Sequence, residues 1–174
     1  FFNLYRHGFI RVAVCTPAVK VADPGFNAEE TLRLAREAAD RKAIFALCPE
    51  LGISADSNDD LFQQEALLQS TLSAIERIIR ETAELNLVLV IGAPLRFDSR
   101  LFNCGIVMNG GRIIGIAVKS YLPNYREFYE GRQFSPSEEA LSKTVCLCGQ
   151  DDVPFGADLI FDVCNIRDFR FFVE

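Results

Sequence analysis

Short, continuously apolar runs alternate along this chain with longer segments in which apolar residues return every three or four positions. The runs at 10–14 (IRVAV), 43–47 (AIFAL) and 87–91 (LVLVI) read as buried strands. Between the first two, Asp23-Pro24-Gly25 signals a turn, and Asn27 is expected to cap a helix with Glu30 completing the box. Leu32, Leu34, Ala35, Ala38 and Ala39 give that helix one apolar stripe. A second helix is expected from Asp59 or Asp60. Its buried side is Leu61, Leu68, Leu72, Ile75, Ile79 and Ala83, with Glu76, Arg77, Arg80 and Glu81 facing away. Gly92 and Pro94 are expected to stop the third strand. A hairpin follows, 101–108 and 112–118, turned at Asn109-Gly110-Gly111. Residues 120–140 are polar, aromatic and turn-rich, and 144–147, 159–163 and 170–173 read as further strands. The order β-α-β-α-β followed by hairpin-like strands predicts an α/β layered domain with a mixed sheet and helices on at least one face.

Composition narrows the functional classes. The 174 residues suit one domain, and 18 basic against 24 acidic residues leave a net charge of −6, which argues against electrostatic nucleic-acid binding. The apolar runs are far shorter than a membrane span, and no leader-like segment is visible, so a cytoplasmic protein is expected. The six cysteines fall mostly inside strand-like runs, and Cys146-x-Cys148 is not a zinc spacing, so buried reduced thiols are expected rather than a metal site. The chain starts at Phe1 without methionine and stops at Glu174 within an apolar run, and is expected to be cut at both ends.

Two residues stand where chemistry could occur. Glu50 follows the second strand directly after Pro49, at the strand end where α/β sheets open their ligand crevices. Partial burial there would suit a carboxylate to proton transfer, although a solvated turn carboxylate is the simpler account of the feature by itself. Lys119 ends the apolar run 113–118 and leads into Ser120-Tyr121-Leu122-Pro123. It is either a strand terminator pointing to water or an ammonium fixed at a crevice mouth, able to stabilise an oxyanion. The loop Asn124-Tyr125-Arg126-Glu127-Phe128-Tyr129-Glu130 carries three aromatics, either as a lid over a pocket or packed on the domain's own core. No phosphate-binding glycine loop and no serine nucleophile elbow is present.

These residues also carry a resemblance. Ala46-Leu47-Cys48-Pro49-Glu50-Leu51-Gly52-Ile53-Ser54 resembles the segment around the catalytic glutamate of the nitrilase superfamily, and Val118-Lys119-Ser120-Tyr121-Leu122-Pro123 that around its catalytic lysine. Residues 5–13, 122–130 and 153–161 are similar to the amino-terminal glutaminase domain of bacterial glutamine-dependent NAD synthetases. The resemblance implies a four-layer α-β-β-α sandwich, of which this chain is the first part. It implies catalytic roles for Glu50 and Lys119, and makes Tyr125, Glu127 and Phe128 the candidates for contacting glutamine or aligning Lys119. The family's triad adds a cysteine after a strand ending in a "V-E-I-C-E-D"-like sequence. Phe171-Phe172-Val173-Glu174 would be that strand, which places the nucleophile just beyond Glu174, and none of the six cysteines present stands in that context. The same resemblance implies no cofactor or metal in this domain. ATP and magnesium are expected in an absent carboxyl-terminal synthetase domain, which receives the ammonia and amidates nicotinic acid adenine dinucleotide. It further implies a homo-oligomer. A free-standing amidase on another small amide, and a catalytically silent assembly module, remain the alternatives.

Overall fold

The computed structural model describes residues 4–164, 166 and 169–174. β1 (Val12–Val14) is followed by α1 (Pro24–Asp40), β2 (Phe45–Leu47), a 3-10 turn (Asp59–Gln63) and α2 (Glu65–Glu81). Next come β3 (Val88–Phe97), β4 (Arg100–Asn109), β5 (Arg112–Val118), β6 (Thr144–Leu147), β7 (Gln150–Gly156), and the short pair β8 (Phe161–Asp162) and β9 (Arg170–Phe171). Seven strands form one mixed sheet in the order β1-β2-β3-β4-β5-β7-β6. β1, β2 and β3 run parallel, β3-β4-β5 is an antiparallel meander, and β7 lies parallel to β5.

The helices begin where backbone amides find partners. Asp23, not Asn27, caps α1: its carboxylate accepts from the Phe26 amide at 3.0 Å, and Pro24 starts the first turn, where a missing N–H does no harm. Asn27 is fully buried instead. It accepts from the Lys20 amide and donates to the carbonyls of Lys20 and Ile53, tying two loops to the helix. The second helix instead starts later than expected, with Asp59–Gln63 forming the 3-10 turn and α2 beginning only at Glu65.

Both helices cover one face of the sheet. Leu32 and Ala35 of α1 and Ile75 and Ile78 of α2 pack with Leu89, Ile91, Ala93 and Leu95 of β3 and with Phe102, Ile106 and Met108 of β4. Each fully buried Leu or Ile there contributes about 2 kcal/mol by leaving water. The alternation that sends odd residues of β3 to the helices sends Val88 and Val90 to the opposite face, where they meet Val107, Phe161, Phe171 and Val173. Two glycines permit this second layer to come close. A Cβ on Gly105 would stand 2.8 Å from Val173 Cγ1, and one on Gly115 2.9 Å from the Phe161 ring.

Gly92 and Pro94 do not end β3. The strand runs through both to Phe97, and a tight turn at Asp98-Ser99, both at positive φ, returns it into β4. The hairpin at Gly110-Gly111 forms as expected, both glycines adopting positive φ. β7 had no signal of its own. It pairs with β6 across Cys148-Gly149, again at positive φ. Among the described residues, no helix is long and apolar enough to cross a membrane.

Candidate active site

β2 and β5 run in the same direction with β3 and β4 between them, so the residues after both strands emerge at the same sheet end. Glu50 leaves that end one turn after β2. Leu51 takes positive φ, and the Gly52 amide closes the turn on the Pro49 carbonyl at 3.1 Å. Lys119 continues β5, its amide donating to the Asn103 carbonyl at 3.0 Å. The two side chains meet across 69 residues of sequence, with Lys119 Nζ 2.6 Å from Glu50 Oε1.

Two further residues complete the cluster. Asn103, on β4 and nearly buried, donates from Nδ2 to the same Glu50 oxygen at 2.6 Å. Glu130 accepts from Lys119 Nζ at 2.9 Å, and its second oxygen, Oε2, is buried with no hydrogen-bond partner among the described residues. Neither residue was singled out in the sequence. Asn103 lies inside an apolar strand, where a polar side chain is itself a signal. Glu130 differs from Glu127 only in which way the loop turns it.

Lys119 keeps its proton. Burial works to lower its pKa, but the hydrogen bonds and charges of Glu50 and Glu130 outweigh burial and hold the ammonium above the ordinary lysine value. Two of its three N–H donors are engaged by carboxylates, which leaves the third for another acceptor. Both donors to Glu50 converge on Oε1, which leaves Oε2 available for proton transfer.

A cavity of about 370 Å³ opens beside these groups, lined by residues 14–16, 47–50, 90–92, 103–105, 117–119, Val173 and Glu174. Its walls are largely apolar, with Glu50, Asn103 and Lys119 as the convergent polar groups, which is the composition of a small-molecule site. Tyr125, Glu127 and Phe128 are not in that lining. They sit exposed on the loop between β5 and β6, with the Tyr125 and Phe128 rings 5.8 Å apart. The loop is tied down on its far side: the Tyr129 hydroxyl donates to Asp59, Arg132 pairs with Asp60 at 2.9 Å, and Phe134 packs on Phe62 with centroids 5.0 Å apart. It therefore holds Glu130 against Lys119 from outside the cavity. Among the described residues, no cluster of three or more His, Cys, Asp or Glu could hold a metal ion.

The family model described as carbon-nitrogen hydrolase matches residues 11–164. Over all 174 residues the chain is 41% identical to the glutamine-dependent NAD(+) synthetase of Mycobacterium tuberculosis, matching 25% of that protein. It thus spans about a quarter of the length of the curated relatives it matches. Among solved structures, a glutamine-dependent NAD(+) synthetase from Cytophaga hutchinsonii superposes with a TM-score of 0.82 at 23% identity, over 92% of this chain and 27% of that one. An amidase from Nesterenkonia sp. superposes with a TM-score of 0.63 at 19% identity, over 75% of this chain and 49% of that one. At these identities the superpositions speak to fold, which is the nitrilase type.

Proposed function

Since the chain belongs to the carbon–nitrogen hydrolase family, we propose that it carries the base and the oxyanion-stabilising lysine of a glutamine-hydrolysing site within a glutamine-dependent NAD synthetase. The observation that carries this reading is the Glu50–Lys119 pair at 2.6 Å, set on the wall of an apolar cavity. The similarity to synthetases of that name supports the choice of glutamine.

In this proposal the nucleophilic thiol is supplied by chain that follows Glu174, a residue that itself lines the cavity. Glu50 takes the thiol proton on Oε2 while Asn103 and Lys119 hold Oε1 still. The thiolate attacks the carboxamide carbon, and charge gathers on the carbonyl oxygen. The third N–H of Lys119 faces that charge, and its raised pKa keeps the donor protonated throughout. Glu50 then passes its proton to the departing ammonia, and afterwards takes one from the water that releases glutamate. Glu130 fixes the lysine from the opposite side and does no proton transfer. The ammonia passes to a synthetase domain, where ATP and magnesium serve the amidation of nicotinic acid adenine dinucleotide.

The test is ammonia release from glutamine by the longer protein containing this segment. Release that survives replacement of both Glu50 and Lys119 overturns the proposal.

A further inference from the structure

Cys15 and Cys48 stand side by side at the ends of neighbouring strands. β1 and β2 pair in parallel with Val14 opposite Leu47, and the Cys15 amide donates to the Leu47 carbonyl at 2.8 Å, so the register carries on to the next residue of each strand. Neighbouring strands lie about 4.8 Å apart, within the roughly 4.4–6.8 Å between Cα atoms that a disulfide spans. In-register neighbours also send their side chains to the same face, close enough for each thiol to act on the ionisation of the other.

Most buried cysteines are small apolar fillers, and Cys104 is one: it has only burial acting on it, which pushes its thiol up. The pair differs in having a second sulfur within reach. Cys15 and Cys48 are 6% and 7% exposed, and both belong to the lining of the cavity beside Glu50. The hydrogen bond from Cys48 outweighs burial and holds Cys15 down at about 7, while the same bond and burial push Cys48 up. One sulfur of the pair is therefore the more readily ionised, and the other is held as a thiol.

We propose that Cys15 and Cys48 form a dithiol modification site that hydrogen peroxide converts to a disulfide, reversibly displacing Glu50. The Cys15 thiolate attacks the peroxide oxygen: an S–O bond forms, the O–O bond breaks, and the leaving hydroxide takes up a proton to become water. Cys48 sulfur then attacks the sulfenic sulfur. The S–S bond forms, the S–O bond breaks, and the departing hydroxide takes the Cys48 proton as a second water. Two thiols are oxidised and one peroxide is reduced. Cys48 lies two residues before Glu50, so drawing its sulfur toward β1 moves the turn that aims the carboxylate.

The cross-link stands on the strand geometry, and only its effect on turnover rests on the amidase reading. The longer protein containing this segment, fully reduced, is treated with hydrogen peroxide, blocked with an alkylating agent, digested and examined by mass spectrometry. A Cys15–Cys48 linked peptide that disappears with dithiothreitol is expected. Oxidation confined to the exposed Cys146 and Cys164 overturns the site. Ammonia release is read in parallel from wild type and Cys15→Ser. Loss common to both belongs to the attacking thiol. The wild type should lose on the order of a hundredfold more, the cost of moving a reacting group by roughly 1 Å. Equal losses alongside a formed cross-link overturn the coupling to Glu50. If the reduced protein releases no ammonia at all, the amidase reading fails while the linked peptide still decides the cross-link.

Discussion

A Cβ on Gly92 would stand 2.5 Å from the carbonyl oxygen of Pro49, and closer still to the Leu51 amide nitrogen. No side chain fits there, so β3 and the turn carrying Glu50 lie in direct backbone contact. Gly92→Ala must push that turn away from the sheet. Overpacking of this kind costs about 1–3 kcal/mol. The denaturant midpoint should fall accordingly, and glutamine hydrolysis should fall further than stability alone explains. An alanine variant with unchanged midpoint and turnover would show that the turn is not fixed by this contact.

Glu50→Gln in the longer protein should abolish NAD synthesis driven by glutamine and leave synthesis from free ammonia nearly intact. The amide keeps the shape but cannot take a proton. Comparable loss with both nitrogen donors would show that Glu50 supports structure rather than ammonia release.

Glu130→Gln removes one of two carboxylates that hold the Lys119 ammonium. A lysine whose folded pKa is raised stabilises the fold at all pH values below its unfolded pKa, and that contribution is lost as pH climbs through the folded value. The variant should therefore lose its alkaline stability at lower pH than wild type, with kcat reduced more than KM. Superimposable alkaline unfolding curves would remove Glu130 from the role of positioning residue.

The 174-residue chain alone should not release ammonia from glutamine. Among the described residues, no cysteine hydrogen-bonds Glu50, and Cys15, Cys48 and Cys104 are buried with the core. Loss of a nucleophile in comparable hydrolases costs on the order of a million-fold. Measurable turnover by this chain that is abolished by Cys48→Ala would place the nucleophile within it.

The features that reached the surface of the sequence were those with a local cause. Apolar runs marked β1, β2 and the start of β3, although β1 is an edge strand with Val12 and Val14 exposed, and the residues that ended β2 and β5 pointed to Glu50 and Lys119. Gly92 and Pro94 misled because breakers are tolerated in a strand when something else needs the space. Here the Glu50 turn needs the absence of a side chain at Gly92. Asn27 resembled a cap because its type suits caps, but tertiary contacts to Lys20 and Ile53 claimed it. Glu130 and Asn103 were illegible for a different reason. Their partners, Lys119 and Glu50, are brought to them by the loop fold and the sheet register, neither of which leaves a periodic trace.

The meander of β3, β4 and β5 has a kinetic consequence. Each of its two turns closes over two residues, Asp98-Ser99 and Gly110-Gly111, so its pairings cost little loop entropy and involve neighbours in the chain. β1 and β2 must instead be brought together around α1, and β2 reaches β3 only across the whole of α2. Asn103 and Lys119 are thus assembled early, as one local unit, and Glu50 is the late arrival to a waiting pair of donors. Pulse-labelled hydrogen exchange during refolding should protect the amides of β4 and β5 before those of β1 and β2, and simultaneous protection would contradict that order.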